Sequence, residues 1–205
     1  MTKDKEGYLQ DLLGEPSCYL GFMRESEEVR NDISPSVGLE IGHFLRFLVI
    51  SSRARRILEV GTSIGYSTAW LAMGASVTDG LVDTVEMQER LLMEAVENLS
   101  ALGLSDRVRS HLGKGEDILP SLQPGYDLIF LDGATQSLMT LYEKSIPLLS
   151  RGGLLVIEDV LFAVTGKRKI QREAMGDLNA YVLQDQRFIT TMLHIGDGLL
   201  LCCRK

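Results

Sequence analysis

The feature that most constrains this chain is a strand-like segment, RILEV at 56–60, that leads through two glycines into a helix-like stretch. Gly61 and Gly65 lie four positions apart, and glycine lets a backbone approach a ligand closely. A helix that begins directly after such a turn presents backbone N–H groups that attract an anion or a carboxylate. The spacing differs from the Gly-x-Gly-x-x-Gly pattern of dinucleotide folds. Taken alone, the turn is compatible with a nucleotide-like ligand or with an ordinary strand–helix connection.

Short apolar runs alternate with amphipathic stretches from residue 56 onward. This alternation predicts an α/β fold with a parallel sheet, right-handed crossovers and helices on both faces. Near the C-terminus, Asp197 and Gly198 lie between two further apolar runs, which is a strong hairpin signal. We therefore predict a doubly wound, Rossmann-like, seven-stranded and mostly parallel sheet with a C-terminal antiparallel hairpin. The predicted strands are 56–60, 81–86, 108–112, 128–132, 154–158, 188–195 and 199–204, and the predicted helices are 66–74, 87–102, 115–119, 137–149 and 168–183.

The length of 205 residues, of which 45% are hydrophobic and 24% charged, is typical of one globular domain. Apolar residues recur at helical spacing between 37 and 50, ahead of the first predicted strand. We therefore expect a single domain over 1–205, in which N-terminal helices over 1–55 cap a Rossmann-like core over 56–205.

Charge and hydropathy argue against some partners. The longest apolar runs are far shorter than the roughly 20 residues that cross a bilayer, and the N-terminus does not resemble a secretion signal. We therefore expect a cytoplasmic protein without a membrane partner. The net charge of −7 and the sequence pI near 5.0 disfavour nucleic acid as a partner without excluding it.

Polar residues follow the ends of the other predicted strands. Glu86 ends the second strand, Lys114 and Gly115 follow the third, and Asp132 ends the fourth. Ligands of such sheets bind at the carboxyl ends of the strands, where an acid about 20 residues after the glycine turn can accept ribose hydroxyls. Each residue alone could be a solvated or structural strand-end residue. Four strand ends that point at one cleft favour an adenosine-containing cofactor.

Three carboxylates are expected to converge at the same edge. Glu158 and Asp159 end the fifth strand, and Asp132 ends the fourth. Clustered carboxylates repel one another, and oxygen ligands suit hard divalent cations such as Mg²⁺ or Ca²⁺. The alternative is that one acid is protonated or caps a helix.

Five motifs along the chain combine into one recognisable pattern: ILEVGTSIGYS at 57–67, YDLIFLD at 126–132, PLLSRGGL at 147–154, VLF at 160–162 and IGDGLL at 195–200. Together they resemble the cation-dependent O-methyltransferase family, and the resemblance extends from about residue 34 to the C-terminus. That family includes catechol and caffeoyl-CoA O-methyltransferases and bacterial relatives, one branch of which methylates a hydroxylated wobble uridine in tRNA.

The resemblance implies S-adenosylmethionine as the cofactor, with a divalent cation, Mg²⁺ or Ca²⁺, beside it. Gly61 and Gly65 would line the methionine part of the cofactor, with Ser67 at its carboxylate and Glu59 near its amino group. The other implied cofactor contacts are Glu86 at the ribose, Lys114 and Gly115 at the adenine, Val37 on the N-terminal side, and Asp132. The implied metal ligands are Asp132, Glu158 and Asp159, and Asp132 is also the implied catalytic residue.

Two positions depart from the family pattern. The last two metal ligands of the family are usually Asp and then Asn, whereas this chain has Glu158 and Asp159. The family also has a lysine three residues after the first metal-binding Asp, placed to take the substrate's proton, and this chain has Thr135 there. A threonine hydroxyl is a poor general base near neutral pH. The metal, a nearby carboxylate or water would therefore have to handle the proton.

We predict in-line transfer of a methyl group to a hydroxyl of a small acceptor, either catechol-like or acyl-CoA-linked, with the help of the cation. Two alternatives use the same fold: a tRNA wobble-uridine hydroxyl methyltransferase, and an S-adenosylmethionine-binding protein that has lost catalysis. The basic residues at 167–169 with Arg172 either contact an anionic acceptor or form a solvated helix start. Family members are often dimers, and we expect a homodimer.

Overall fold

The computed structural model describes residues 5–14, 16–28, 30–33 and 37–205. Three helices precede the first strand: α1 (Lys5–Leu13), α2 (Cys18–Glu28) and α3 (Gly38–Ser52). The prediction of N-terminal helices is confirmed over these ranges. Residues 1–4, 15, 29 and 34–36 of the predicted cap lie outside the described residues. The assignment of 1–205 to a single domain stays a prediction.

The sheet has seven strands in the order β3-β2-β1-β4-β5-β7-β6. Its strands are β1 (Arg56–Val60), β2 (Leu81–Glu86), β3 (Val108–Leu112), β4 (Tyr126–Leu131), β5 (Leu149–Ile157), β6 (Phe188–Leu193) and β7 (Leu199–Arg204). The first five strands pair in parallel, and β7 runs antiparallel to both β5 and β6. The predicted doubly wound α/β fold with a C-terminal hairpin is therefore confirmed.

The helices between the strands are α4 (Tyr66–Thr78), α5 (Glu89–Ala101), α6 (Gly115–Ile118), α7 (Leu138–Ser145), α8 (Phe162–Thr165) and α9 (Lys169–Gln184). Three boundaries differ clearly from the prediction: α4 continues to Thr78, α7 ends at Ser145, and β5 begins already at Leu149. The apolar residues between 146 and 149 continue the helical pattern, and a short apolar run does not by itself distinguish a buried helix from a buried strand. The four-residue helix α8 is too short to give a periodic signal and was not predicted.

Two hydrophobic clusters cover the two faces of the sheet. Trp70 of α4 is fully buried in one, where it packs against α3. A Cβ added to Gly42 of α3 would overlap the Trp70 indole, so glycine allows these two helices to approach closely. Met175 of α9 and Tyr142 of α7 are buried in the other cluster. None of the helices in the described part of the chain is long and apolar enough to cross a membrane.

Candidate active site

Backbone hydrogen bonds align the carboxyl ends of the five parallel strands. They run from Gly61 N to Val85 O (3.0 Å), from Gly113 N to Glu86 O (2.9 Å), from Asp132 N to Val60 O (2.9 Å) and from Glu158 N to Leu131 O (3.0 Å). The residues that follow these strands therefore lie along one edge of the sheet, which is where ligands of doubly wound folds bind.

Gly61 lies directly against Asp132. Its φ is +106°, which is in the left-handed region, and an added Cβ would overlap the carbonyl oxygen of Asp132. Only glycine satisfies both conditions without strain. The candidate cofactor turn and the first candidate metal ligand are thus in backbone contact.

The turn after Gly61 is tight and contains an unpaired hydroxyl group. Ser63 has φ +48° and Gly65 has φ +91°, and the Gly65 N–H donates to the carbonyl oxygen of Thr62 at 2.8 Å. The Ser63 Oγ is buried and has no hydrogen-bond partner among the described residues. A buried polar atom without a partner costs free energy, so this hydroxyl suits a polar ligand held at the turn.

Glu86 connects the second strand to the same turn. Its carboxylate accepts the backbone N–H of Ser63 at 2.9 Å through Oε2 and that of Gln88 at 2.9 Å through Oε1. Each carboxylate oxygen can accept a second hydrogen bond. Glu86 therefore fixes the turn while retaining acceptor capacity for the ribose hydroxyls that the sequence analysis assigned to it.

Glu59 is completely buried below the turn. It accepts hydrogen bonds from Ser67 at 2.6 Å, from Thr84 at 2.6 Å and from Thr68. Burial raises the pKa of Glu59 to about 7 against the opposing effect of these three hydroxyl donors. Because the Ser67 hydroxyl is used in this contact, its backbone N–H in the first turn of α4 is the group that remains for a ligand carboxylate. The predicted cofactor roles of both residues stay predictions.

The other predicted cofactor contacts lie around the same edge. Lys114 is exposed and precedes α6. Gly115 is buried, and an added Cβ would lie 2.6 Å from Leu141 Cδ2, so the backbone is tightly packed there. Val37 precedes α3 on the side of the hairpin turn, where its carbonyl oxygen would be 3.9 Å from a Cβ at Gly196. These three contacts also stay predictions.

The three predicted metal ligands are brought together. Carboxylate oxygens of Asp132, Glu158 and Asp159 all lie within 4.8 Å of one another. Two oxygens that bind one Ca²⁺ ion at about 2.4 Å are at most about 4.8 Å apart, and Mg²⁺ needs a slightly tighter set. A donor set made only of carboxylates fits a hard divalent cation. The cluster therefore fits the cation that the sequence predicts.

Electrostatics within this cluster favour a bound positive charge. Burial, a hydrogen bond to Asp159 and the neighbouring negative charges raise the pKa of Glu158 well above its ordinary value. Burial raises the pKa of Asp159 as well. Carboxylates with raised pKa values hold a proton when no cation is present, and a cation can replace that proton.

The C-terminal hairpin adds a fourth carboxylate, Asp197, which the sequence identifies only as a turn residue. Asp197 is exposed, and its negative charge contributes to the raised pKa of both Glu158 and Asp159. The Leu161 N–H donates to the Asp197 carbonyl oxygen at 2.9 Å, so the hairpin turn packs on the segment after β5. Asp159 itself has φ +64°, and such backbone outliers concentrate at functional sites.

The position of the missing lysine lies in the loop between β4 and α7. Thr135 is partly exposed there, and its carbonyl oxygen accepts the Leu138 N–H at 3.4 Å. The basic residues Lys167, Arg168 and Lys169 are exposed between α8 and the first turn of α9. Arg172 donates to the carbonyl oxygen of Gly166 at 2.8 Å and so supports this segment.

A sequence model of a family described as O-methyltransferase matches residues 16–205 of the chain. The catechol O-methyltransferase of Mycobacterium tuberculosis is 38% identical over 127 residues, covering 62% of this chain and 57% of that protein, less than two thirds of its length. The catechol O-methyltransferase of Niastella koreensis is 35% identical over 156 residues, covering 74% of this chain and 70% of that protein.

Solved structures show the same likeness over nearly the whole chain. An O-methyltransferase from Bacillus cereus in complex with SAH superposes with a TM-score of 0.86 at 27% identity, covering 98% of this chain and 96% of that one.

Proposed function

Because this chain belongs to the O-methyltransferase family, we propose that it transfers the methyl group of S-adenosylmethionine to a hydroxyl oxygen of a small acceptor with adjacent oxygen atoms, such as a catechol. The observation that carries this proposal is the contact between Gly61 and Asp132, which joins the candidate cofactor turn to the carboxylate cluster. The prediction of an S-adenosylmethionine-dependent O-methyltransferase is confirmed at the level of the family. The acceptor and the cation are our proposals.

S-adenosylmethionine supplies an electrophilic methyl group on its sulfonium centre. The B. cereus relative was solved with SAH, which supports the same cofactor here. In this chain, Glu86 would hold the ribose, and the N–H groups at the start of α4 would hold the amino-acid carboxylate. The buried Ser63 hydroxyl is a further donor at the turn. These contacts would fix the methyl group beside Asp132.

Asp132, Glu158 and Asp159 would hold a divalent cation. When bound, such a cation would supply positive charge that lowers the pKa of an acceptor hydroxyl and would help to hold the acceptor beside the cluster. Holding the oxygen in line with the methyl group removes much of the entropic barrier to transfer. The catechol O-methyltransferases among the relatives support an acceptor with two adjacent hydroxyls.

Loss of the hydroxyl proton cannot depend on a lysine at position 135. The Thr135 hydroxyl is a poor base, so the proton would pass to water or to a nearby carboxylate that does not hold the cation. We expect the rate to depend more strongly on the cation than it would if a lysine were present, because no lysine at this position would help to remove the proton.

Methyl transfer to a panel of acceptors tests the proposal. The protein is incubated with S-adenosylmethionine and a 3,4-dihydroxy aromatic acid, a caffeoyl-CoA thioester or bulk tRNA that carries the hydroxylated wobble uridine, each with Mg²⁺ or with chelator, and products are identified by mass spectrometry. We expect a methyl ether of the small catechol that requires the cation. Methylation of RNA alone would favour the RNA-modifying alternative. Cofactor binding without any product would favour loss of catalysis.

We also propose a homodimer formed through the N-terminal helices. Large apolar side chains are exposed on each of them: Tyr8 and Leu12 on α1, Phe22 on α2 and Phe47 on α3. The free energy falls when a second copy of the chain covers exposed apolar side chains. Light scattering should give twice the chain mass of 22.7 kDa, and Phe22→Ser with Phe47→Ser should shift it towards the single chain mass. A wild-type mass of one chain would refute the dimer.

A further inference from the structure

Asn98 connects the N-terminal helices to the cofactor turn. Its side-chain amide lies on α5 and is 8% exposed. The Nδ2 group donates to the carbonyl oxygen of Ile64 at 2.9 Å, and the Oδ1 atom accepts the hydroxyl of Tyr19 at 2.7 Å. Both ends of one amide are therefore used, one on the turn and the other on helix α2.

The Ile64 carbonyl group lies in the part of the turn whose backbone conformation is most unusual. It belongs to the residue between Ser63 and Gly65, both of which have left-handed backbone angles. The α5 helix also touches the turn directly, since an added Cβ at Gly65 would lie 3.2 Å from the Cβ of Ala95. The hydrogen bond from the Asn98 amide therefore holds the turn in this backbone conformation before the cofactor binds. Without that hydrogen bond the turn would relax, and the cofactor would have to restore the conformation on binding.

A second contact attaches the N-terminal segment to the same helix. Arg30 donates to both carboxylate oxygens of Glu94 on α5, at 2.5 and 3.1 Å, and also binds Asp32. Arg90 of α5 reaches Asp32 at 2.6 Å. The α2 helix and the segment after it are thus both bound to α5, and Asn98 lies on that same helix.

We propose that Asn98 is a positioning residue for the cofactor turn and that Tyr19 orients its amide, so that docking of helix α2 on α5 sets the affinity for the cofactor. The inference depends on the proposed function, because it takes the cofactor to bind at residues 61–67. It assigns the N-terminal helices a role in cofactor binding in addition to covering the sheet.

Two substitutions separate the two hydrogen bonds. Tyr19→Phe removes one hydroxyl and keeps the ring, so the fold is retained while the Asn98 amide loses the partner that orients it. Asn98→Ala removes both bonds. Removing a buried hydrogen bond costs free energy, and more is lost when one partner is left unsatisfied. We expect SAH affinity to fall about threefold in Tyr19→Phe and about tenfold or more in Asn98→Ala.

The test is a double-mutant cycle on SAH affinity, measured by calorimetry well below the melting temperature. If Tyr19 acts through Asn98, adding Tyr19→Phe to Asn98→Ala has no further effect. Tyr181→Phe, which removes an exposed tyrosine hydroxyl that donates to Glu143, and Val182→Ala, in the core at α9, serve as controls. The first should leave SAH affinity unchanged, and the second should lower the melting temperature while leaving SAH affinity unchanged.

A second readout needs no ligand. Amide hydrogen exchange of residues 62–66 in the free protein should accelerate in Tyr19→Phe and Asn98→Ala but not in Val182→Ala. Unchanged SAH affinity and unchanged exchange in both variants would overturn the proposal, and so would additive effects in the cycle. A wild-type protein that binds neither SAH nor S-adenosylmethionine would instead refute the proposed function, and this inference with it.

Discussion

The backbone of Gly61 is packed against the carbonyl oxygen of Asp132, with no room for a Cβ between them. The first residue of the candidate cofactor turn and the first candidate metal ligand are therefore held in contact by backbone atoms. A methyl donor bound at the turn and an acceptor oxygen bound at the carboxylates would be brought close together by this contact, whatever the side chains around them do.

Gly61→Ala should damage both stability and cofactor binding. The new Cβ would overlap a backbone oxygen and would also force a left-handed backbone angle on alanine, which together should cost more than about 3 kcal/mol of unfolding free energy. Chemical denaturation and SAH calorimetry measure the two effects. The matched control is Gly176→Ala in helix α9, where no atom of the described residues lies within 4 Å of the new Cβ. That control should gain about 0.5–1 kcal/mol. A Gly61→Ala protein as stable as the wild type would contradict the described turn.

Glu86→Gln should weaken cofactor binding more than it weakens the fold. Glutamine keeps the size of the side chain but replaces one acceptor oxygen with a donor group, which conflicts with the N–H of Ser63 or Gln88 and removes an acceptor for one ribose hydroxyl. We expect about a tenfold to hundredfold loss of SAH affinity, on the scale of a charge-assisted hydrogen bond. Glu89→Gln, an exposed neighbour at the start of α5, should bind SAH normally. Equal affinities in the two variants would exclude Glu86 from the cofactor site.

The sequence predicts the fold and the edge of the sheet at which the site lies, because both depend on patterns along the chain. Strand–helix alternation determines a parallel sheet, and a parallel sheet brings residues at the strand ends to one edge. The predicted topology alone therefore brings four residues together at this edge: Gly61, Glu86, Asp132 and Glu158. The distances of 4.8 Å or less within the carboxylate cluster are a consequence of that topology.

What could not be predicted depends on contacts between distant segments. Asp197 was recognised only as a hairpin residue, because nothing local shows that the hairpin turn packs on the segment after β5. Asn98 sits in an amphipathic helix and resembles any polar helix residue until Tyr19, 79 positions away, is placed beside it. Likewise, Glu59 was predicted near the cofactor's amino group, and only the structure shows that three hydroxyls already donate to it.

A divalent cation should stabilise the protein through Glu158. In chelator, the clustered carboxylates must either hold protons or repel one another, and bound Mg²⁺ or Ca²⁺ would replace those protons and relieve the repulsion. At a concentration 100 times its dissociation constant, the cation should add about 2.7 kcal/mol. Thermal unfolding at pH 8 should show a rise in melting temperature with the cation for the wild type and none for Glu158→Gln.

The same variant should also be more stable than the wild type in chelator, since it removes a carboxylate whose pKa is raised by burial. Asp106→Asn, at an exposed acid away from the sheet edge, should respond to the cation as the wild type does. A cation response that survives in Glu158→Gln would remove this residue from the metal site.

Glu59 should make stability depend on pH between about 4.5 and 7. Burial raises the pKa of Glu59 from 4.5 to about 7 in the folded protein, so the native state binds a proton that the unfolded chain has already released. Stability from this group is fully present below pH 4.5 and is lost as pH rises through 7, by at most ~3 kcal/mol. Denaturation of Glu59→Gln between pH 4.5 and 8 should lack this decline. An identical pH dependence in both proteins would show that Glu59 is ionised throughout.

The most direct measurement is a single turnover with the metal-stripped protein, S-adenosylmethionine carrying a trideuterated methyl group, and a 3,4-dihydroxy aromatic acid. We predict that adding Mg²⁺ yields one deuterated methyl ether and one SAH per active site, and that Glu158→Gln yields neither at a comparable rate. The same ether yield in chelator would contradict the metal-assisted mechanism. A protein that binds S-adenosylmethionine yet transfers its methyl group to no oxygen acceptor, with or without the cation, would contradict the proposed function itself.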